Sequence, residues 1–357
     1  MQQLTKLLSF ISYPICLRLL PAAFAFMLVS CGGGGPTPTY TVGGTVSGLT
    51  SGSLVLKNNN GDDLTINANS TSFTFATALA SGSAYAVTAG TRPGRLACDI
   101  TNNTGTISGS NVTNVTITCI APVYVANVGP TVSMYASNAT TGILTALTTP
   151  SVATGGSSNY SIAVNPAGTF AYVTNGIANT VSMYAINANT GLLTALTTPT
   201  VASGPFPISI AVNPAGTFAY AANYNSNTVS MYAIDAGTGI LTPLTTPTIA
   251  TGTRPRSITV NPAGTFAYVA NLGGGTVSMY AINATTGILT ALSTPTVAAG
   301  TDPIAVAVNP AGTFAYVANS TSGNLSMYAI NATTGILTAL STPTLANVSN
   351  PVAIAFK

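Results

Sequence analysis

The chain has 357 residues, of which only 4% are charged, and it contains neither histidine nor tryptophan. Its five acidic residues are all aspartates, and the formal net charge is +3. Such a chain lacks most side chains that perform acid–base catalysis or bind transition metals, so we expect no cofactor and no metal. It is long enough for two or three domains with their own cores.

The first 30 residues are predicted to be a targeting segment rather than part of the fold. Lys6 and Arg18 precede an apolar run at 19–30 that ends in small residues, as in a secretory signal. The stretch 28–31, Leu-Val-Ser-Cys, resembles the lipobox of bacterial lipoproteins, in which Cys31 is acylated and becomes the mature N-terminus. An ordinary signal peptide or a short membrane anchor is the alternative, although the run is short for a transmembrane helix.

An acylated Cys31 would make the membrane a partner of the protein. Gly32 rather than aspartate after this cysteine indicates the outer membrane, by the sorting preference of such lipoproteins. From Cys31 onward the chain has six basic and five acidic residues, which gives a net charge of +1. No basic stripe is present, which argues against nucleic acid as a partner. Residues 31–39 are predicted to be a tether rich in glycine and proline.

Residues 40–120 are predicted to form a small Ig-like β-sandwich, since short alternating apolar runs are separated by turns. The clearest hairpin turn is 58–63, NNNGDD. Its two aspartates are compatible with calcium, but no third carboxylate follows at ligand spacing, so a plain turn is favoured. Cys98 and Cys119 predict a disulfide in an exported protein, with two buried free thiols as the alternative.

Residues 121–357 consist of a 48-residue repeat, marked by Tyr124, Tyr172, Tyr220, Tyr268 and Tyr316. Each copy has four apolar runs, which in one copy are 258–260, 265–270, 276–282 and 288–292. Four short antiparallel strands repeated radially are typical of β-propeller blades. The methionines that recur in the third strand are predicted to pack between blades: Met134, Met183, Met231, Met279 and Met327.

The array begins at a second strand, residues 123–125, and its last residues, 351–357, align with a first strand. A C-terminal first strand would complete the N-terminal blade and remove two open edges. The sequence therefore predicts an all-β fold, a five-bladed β-propeller of four-stranded blades closed by the C-terminal strand and preceded by the β-sandwich.

The phrase NPAGTFAYVTN at residues 165–175, with its variants, resembles the YVTN-type repeats of the lactonase-like (6-phosphogluconolactonase-like) propeller family. The resemblance covers residues 121–357 and recurs in every copy. Members of that family usually have seven blades, whereas this chain has material for five. The resemblance implies lactone hydrolysis as an activity.

Strand order places the turns between strands one and two, and three and four, on one face. The loops between strands two and three and the crossovers between blades lie on the other, which we call the variable face because these loops differ between copies. It should present six candidate ligand-binding residues: Tyr160, Phe206, Tyr224, Arg254, Arg256 and Asp302. Aromatic rings with a few donors suit a saccharide or peptide, and arginines suit a carboxylate or phosphate. Loop residues freed from packing would vary in the same way.

Two functions are compatible with this pattern. The first is a lipid-anchored, monomeric surface scaffold that binds a glycan, a peptide or an envelope protein without catalysis, with a strand-exchanged dimer left open. The second is lactone hydrolysis, which needs a base and charged groups around a carbonyl. The propeller offers only Asp235, in a turn on the opposite face, and Asp302 beside Arg254 and Arg256. The scaffold is therefore preferred, and no catalytic residue is assigned.

Overall fold

The computed structural model describes residues 37–138, 141–346 and 348–356, and within them the chain is all-β apart from one turn of 3₁₀ helix, Leu272–Gly274. The predicted targeting segment, Cys31 and most of the tether lie outside the described residues. Among the described residues no helix has the length and apolar character needed to cross a membrane.

The first unit, residues 37–120, folds as two main sheets around one core, with β1 and β6 paired as a separate two-stranded sheet. Its strands are β1 Thr39–Tyr40, β2 Val42–Ser47, β3 Ser53–Asn58, β4 Gly61–Asn67, β5 Ser72–Thr74, β6 Leu79–Ala80, β7 Ala84–Ala89, β8 Ala97–Thr101, β9 Thr104–Thr106 and β10 Val112–Ala126. One sheet has the order β4-β3-β7-β9, and the other contains β5, β2, β10 and β8. Alternate residues of both sheets, such as Leu54, Leu56, Val115 and Ile117, fill the core between them.

Two details of this unit differ from a simple Ig-like sandwich. Strands β2 and β10 pair in parallel, whereas the neighbouring pairs are antiparallel. The boundary predicted at residue 120 falls inside β10, which runs without a break into the first blade. The hairpin turn at 58–63 is present, and Lys57 Nζ lies 2.7 Å from the carboxylate of Asp63.

The disulfide predicted between Cys98 and Cys119 is confirmed. The two residues are directly opposite each other in the antiparallel pair of β8 and β10, and both are buried. Because β10 continues into the repeats, the crosslink fixes the first unit at the entry to the first blade.

The repeat forms five sheets whose strands follow chain order. The first blade has residues 121–126 of β10, β11 Thr131–Ser137 and β12 Leu144–Ala153, and the second has β13 Ile162–Val164, β14 Phe170–Asn175, β15 Thr180–Ile186 and β16 Leu193–Ala202. The third has β17 Pro207–Val212, β18 Phe218–Asn223, β19 Thr228–Ile234 and β20 Leu241–Ala250, and the fourth has β21 Pro255–Val260, β22 Phe266–Asn271, β23 Thr276–Ile282 and β24 Leu289–Ala298. The fifth has β25 Pro303–Val308, β26 Phe314–Asn319, β27 Asn324–Ile330 and β28 Leu337–Leu345. The predicted antiparallel blades are therefore found.

Neighbouring blades are joined by contacts that repeat with the sequence. The hydroxyls of the marker tyrosines donate to glycine carbonyls of the next blade, at 2.6–2.9 Å: Tyr124 to Gly191, Tyr172 to Gly239, Tyr220 to Gly287 and Tyr268 to Gly335. The methionine sulfurs accept the N–H of a leucine in the next blade, for example Met231 from Leu289 at 3.3 Å. The prediction that these methionines pack between blades is confirmed for Met134, Met183, Met231 and Met279.

The prediction that the C-terminal strand closes the ring is wrong in this structure. Residues 351–356 form no strand, and residues 121–126 of β10 pair only with β11. The ring of Phe356 instead packs on Tyr316 of the fifth blade, with centroids 5.6 Å apart. Phe356 holds the repeat position of Val308, which packs on Tyr268 one blade earlier. The segment thus lies against the fifth blade as the first strand of a following blade would, while β2, β8 and the disulfide hold β10 in the first unit.

Candidate functional site

The crossovers and the loops between strands two and three are bonded to each other, which confirms that they share the variable face. In each case a backbone N–H of the loop donates to a carbonyl of the crossover: Gly176 to Ser158, Tyr224 to Phe206, Leu272 to Arg254 and Ser320 to Asp302. These bonds hold the loops against the crossovers, so side chains on both can form one surface.

One crossover position has a left-handed backbone in all five copies, and none of the five residues is glycine. Ser158, Phe206, Arg254, Asp302 and Asn350 have φ between 41° and 62°. A bulky side chain such as phenylalanine in this region is uncommon and strained, and such residues concentrate at functional sites.

Two of these residues are fixed by an asparagine of the neighbouring loop. The N–H of Phe206 donates to Asn179 Oδ1, and the N–H of Arg254 donates to Asn227 Oδ1, each at 2.8 Å. These hydrogen bonds restrain the backbone at both positions, so the side chains of Phe206 and Arg254 project from a fixed backbone.

The structure brings five of the six candidate residues together in an aromatic–arginine cluster: Tyr160, Phe206, Tyr224, Arg254 and Arg256. The Phe206 ring centroid lies 5.9 Å from that of Tyr160 and 6.2 Å from that of Tyr224. The guanidinium carbon of Arg254 is 5.9 Å from the centre of the Tyr224 ring. That of Arg256 is 5.9 Å from the centre of the Tyr160 ring. Both arginines are within cation–π range.

Arg256 and Tyr160 hold the same repeat position two blades apart, with Ile208 between them in sequence. The inner strands of the blades are neighbours, since β17 packs beside β21. The Arg256 side chain therefore reaches past the third blade to Tyr160, and the cluster joins three blades at the variable end of their inner strands.

The two arginines of the cluster have no carboxylate partner among the described residues, where the ion pair found is Lys57 with Asp63. Burial lowers the pKa of Arg256 from its ordinary value, and Tyr160 and Tyr224 act in the opposite direction. An arginine guanidinium nonetheless stays charged in a protein. The cluster is thus a partly desolvated cationic surface flanked by aromatic rings.

The two aspartates of the repeats lie outside this cluster. The carboxylate of Asp302 accepts a hydrogen bond from the Thr321 hydroxyl. Asp235 is in a turn of the opposite face, where the backbone N–H and hydroxyl of Thr238, and then the N–H of Gly237, hold its pKa below the ordinary value. Asp302 forms no ion pair with Arg254 or Arg256 among the described residues, so the role in hydrolysis that the sequence suggested for these three residues stays a prediction.

Asn159 is a polar residue beside the cluster that the sequence reasoning missed. Its side chain is 1% exposed, and its Nδ2 donates to Gly129 O at 2.6 Å and to Thr154 Oγ1 at 3.0 Å. Its Oδ1 has no hydrogen-bond partner among the described residues. The other four copies carry proline here, so the departure from the repeat was the available signal.

A family model described as "Lactonase, 7-bladed beta-propeller" matches residues 123–253 and 245–356. None of the curated proteins compared with the chain matches it.

Solved structures give the same fold at low sequence identity. A Bacteroides fragilis protein named as a candidate 6-phosphogluconolactonase has 16% identity and a TM-score of 0.58, over 86% of this chain and 98% of its own. The periplasmic gluconolactonase of Pseudomonas aeruginosa has 21% identity and a TM-score of 0.53, over 66% of this chain and 68% of its own. A Desulfotomaculum acetoxidans protein of unknown function has 23% identity and a TM-score of 0.51, over 62% of this chain and 65% of its own.

At these identities the structural likenesses show the fold alone. The Bacteroides match covers 86% of the 357 residues, which is more than residues 121–357 contain, so it extends into the first unit. The family model has seven blades, whereas the repeats of this chain form five sheets.

Proposed function

Because the chain belongs to the lactonase family of seven-bladed β-propellers, we propose that its aromatic–arginine cluster binds a sugar lactone or the related sugar acid. The observation that supports this is the convergence from three blades of three rings and two guanidinium groups that have no carboxylate partner in the described part of the chain. Rings offer apolar faces to the C–H groups of a saccharide, and a few polar groups then fix its orientation.

The charge of the cluster favours an anionic ligand over a neutral one. Arg256 is half-buried and has no counter-ion among the residues that the structure describes, and a carboxylate or phosphate can accept paired hydrogen bonds from a guanidinium. The Oδ1 of Asn159 is buried, so it would reach a hydroxyl of the same ligand only after the crossover that carries it moves. A sugar acid supplies both an anion and hydroxyl donors.

Binding without catalysis is the first form of this proposal, in which the protein acts as a scaffold that recognises a glycan, peptide or envelope protein. Lactone hydrolysis is the second, and the family match and the names of the Bacteroides and Pseudomonas proteins favour it at least as strongly. In the second form the candidate carboxylate is Asp302, which holds the repeat position of Arg254 one copy later. Its hydrogen bond with the Thr321 hydroxyl would then have to break.

A titration of sugar acids and a hydrolysis assay over the corresponding lactones test the proposal. We expect Arg254→Ala and Arg256→Ala each to weaken binding of the acid about tenfold or more, because each removes a charged hydrogen-bonding group. Arg95→Ala makes the same charge change in the first unit and should leave this binding unaltered. Failure of every acid and lactone to bind would overturn the proposal.

The hydrolysis arm separates the two forms. Turnover above buffer that disappears in Asp302→Asn would establish a lactonase, whereas binding without turnover would establish the non-catalytic protein. Arg254→Ala should reduce both readouts, since it contacts the ligand in either form.

We also propose that the protein is a lipoprotein of the bacterial outer membrane, anchored through Cys31. The lipobox-like residues 28–31 after a basic and apolar leader support this. Incorporation of labelled fatty acid into the wild-type protein, and its loss in Cys31→Ser, is the expected result. Equal labelling of the two would contradict it.

A further inference from the structure

A second concave site lies on the opposite face of the molecule, where the first unit meets the second blade. It is a cavity of about 490 Å³, a volume in the range of small-molecule sites, which are frequent at domain interfaces. Residues 92–97 form one wall, Pro122 and Tyr124 of β10 the floor, and residues 164–169 and 186–188 of the second blade the other wall.

The two units that form this cavity are in direct contact beside it. The N–H of Cys98 donates to Ala188 O at 3.0 Å, beside the disulfide. Gly94 and Gly168 approach so closely that a Cβ on Gly168 would lie 2.1 Å from the Gly94 carbonyl oxygen. The cavity is therefore built by the docking of the units.

Two arginines line this otherwise largely apolar cavity, Arg92 and Arg95. The Nε of Arg92 is buried and has no hydrogen-bond partner among the described residues. Its terminal nitrogen donates to Asn189 Oδ1. Asp99 attracts the Arg92 charge from a distance, but the two form no ion pair in the described part of the chain. Arg92 and Arg95 therefore bring two positive charges to the cavity lining without a carboxylate partner among the described residues, so an anion in the cavity would be stabilised.

The repeat departs from its own pattern at this place. The third turns of the first, fourth and fifth copies read NATTG, whereas the second copy reads NANTG. The substituted residue is Asn189, the acceptor of the Arg92 hydrogen bond. The equivalent residues of the next three copies are Gly237, Thr285 and Thr333. The second blade alone among these carries the side chain that positions Arg92.

We propose that this junction cavity binds a small amphiphilic anion, with its carboxylate, sulfonate or phosphate on Arg92 and Arg95 and its apolar body against the cavity walls. Leu96, Pro122, Val164 and Ile186 supply apolar surface. A strongly hydroxylated sugar would leave its hydroxyls against these side chains, which distinguishes this site from the aromatic–arginine cluster.

Calorimetric titration of the full chain with 1-naphthoate and with its neutral amide, 1-naphthamide, tests the site. We expect the acid to bind with one-to-one stoichiometry and the amide to bind at least about tenfold more weakly, because the acid alone pairs with the guanidinium groups. Arg92→Gln and Arg95→Gln should each weaken the acid about tenfold, and Arg92→Lys should restore part of the loss. Lys57→Gln, which removes a positive charge from the hairpin of the first unit, should have no effect.

A further variant covers the case in which Arg92→Gln disturbs the docking of the two units. Val164 lines the cavity and is 41% exposed, so Val164→Glu places a carboxylate there without removing either arginine, and it should abolish naphthoate binding by repulsion. Equal affinity for the acid and the amide, wild-type affinity in the arginine and glutamate variants, or no binding of naphthoate at millimolar concentration would each overturn the proposal.

Discussion

Between pH 9 and pH 11 the free energy of unfolding should fall by several kcal/mol, after little change between pH 5 and pH 9. Seven tyrosines are at most 2% exposed and donate their hydroxyl to a backbone carbonyl, and burial raises the pKa of each: Tyr172, Tyr184, Tyr220, Tyr232, Tyr268, Tyr280 and Tyr328. The chain contributes no histidine and no glutamate to titrate at lower pH.

The sign follows from which state keeps the proton. A tyrosine in the unfolded chain ionises near pH 10, whereas the buried phenol stays protonated, so the folded state is favoured below pH 10 and loses this advantage above it. Each buried tyrosine lowers the free energy of unfolding by up to about 1.4 kcal/mol per pH unit above pH 10. Because some hydroxyls retain partial access to water, the seven together amount to on the order of 5 kcal/mol at pH 11.

Urea unfolding at a series of pH values measures this loss. The part of the tyrosinate absorbance that comes from these seven phenols should appear together with the loss of β-sheet circular dichroism, since they ionise when the blades open. In Tyr220→Phe the free energy of unfolding should decrease less at alkaline pH, by about the contribution of one tyrosine. A free energy of unfolding that is equal at pH 9 and pH 11 would contradict the assignment of these tyrosines as buried donors.

The blades could be predicted because their contacts recur with the sequence. A tyrosine, a methionine and a glycine return every 48 or 49 residues, and they form the same bonds between neighbouring blades. Strand order then determined which loops share a face, so the candidate residues of the variable face could be chosen before their distances were known. Their assembly into one cluster depended on side-chain reach, as in Arg256 crossing a blade to Tyr160.

Ring closure could not be predicted from alignment of the strands alone. Ser161, Ser209 and Ser257 each accept an N–H of the next inner strand, at 3.2–3.3 Å. The fifth copy has Ala305 at this position and lacks that acceptor. This departure was visible in the sequence, but its meaning depended on knowing what the serine does.

The junction cavity was beyond sequence reasoning for a different reason. Its walls come from two units whose docking is set by β10 and the disulfide, and no periodic signal describes it. Its one local sign was Asn189 in place of threonine in a turn otherwise interpreted as structural.

Gly287→Ala should destabilise the propeller by about 3 kcal/mol, whereas Gly142→Ala should cost about 1 kcal/mol. Both glycines occupy the same turn of the repeat with a left-handed backbone, φ 71° and 69°. A Cβ on Gly287 would lie 2.2 Å from Cδ1 of Phe218 in the preceding blade, whereas a Cβ on Gly142 would meet no described atom within 4 Å. The pair shares the backbone strain and differs in the contact between blades, so urea unfolding of the two variants measures that contact.

A double mutant separates steric overlap from damage to the turn itself. Phe218→Leu replaces the ring that Gly287 faces with a smaller side chain. The variant that combines Gly287→Ala with Phe218→Leu should therefore lose less stability than the sum of the two single changes. Strict additivity, or equal losses for Gly287→Ala and Gly142→Ala, would mean that the glycine is needed for its backbone alone. The same glycine carbonyl accepts the Tyr220 hydroxyl, so displacement of this turn by the new methyl group should also shift the alkaline transition downward in pH. The packing of one blade on the next and the burial of its tyrosine are therefore expected to fail together, because a single turn supplies both.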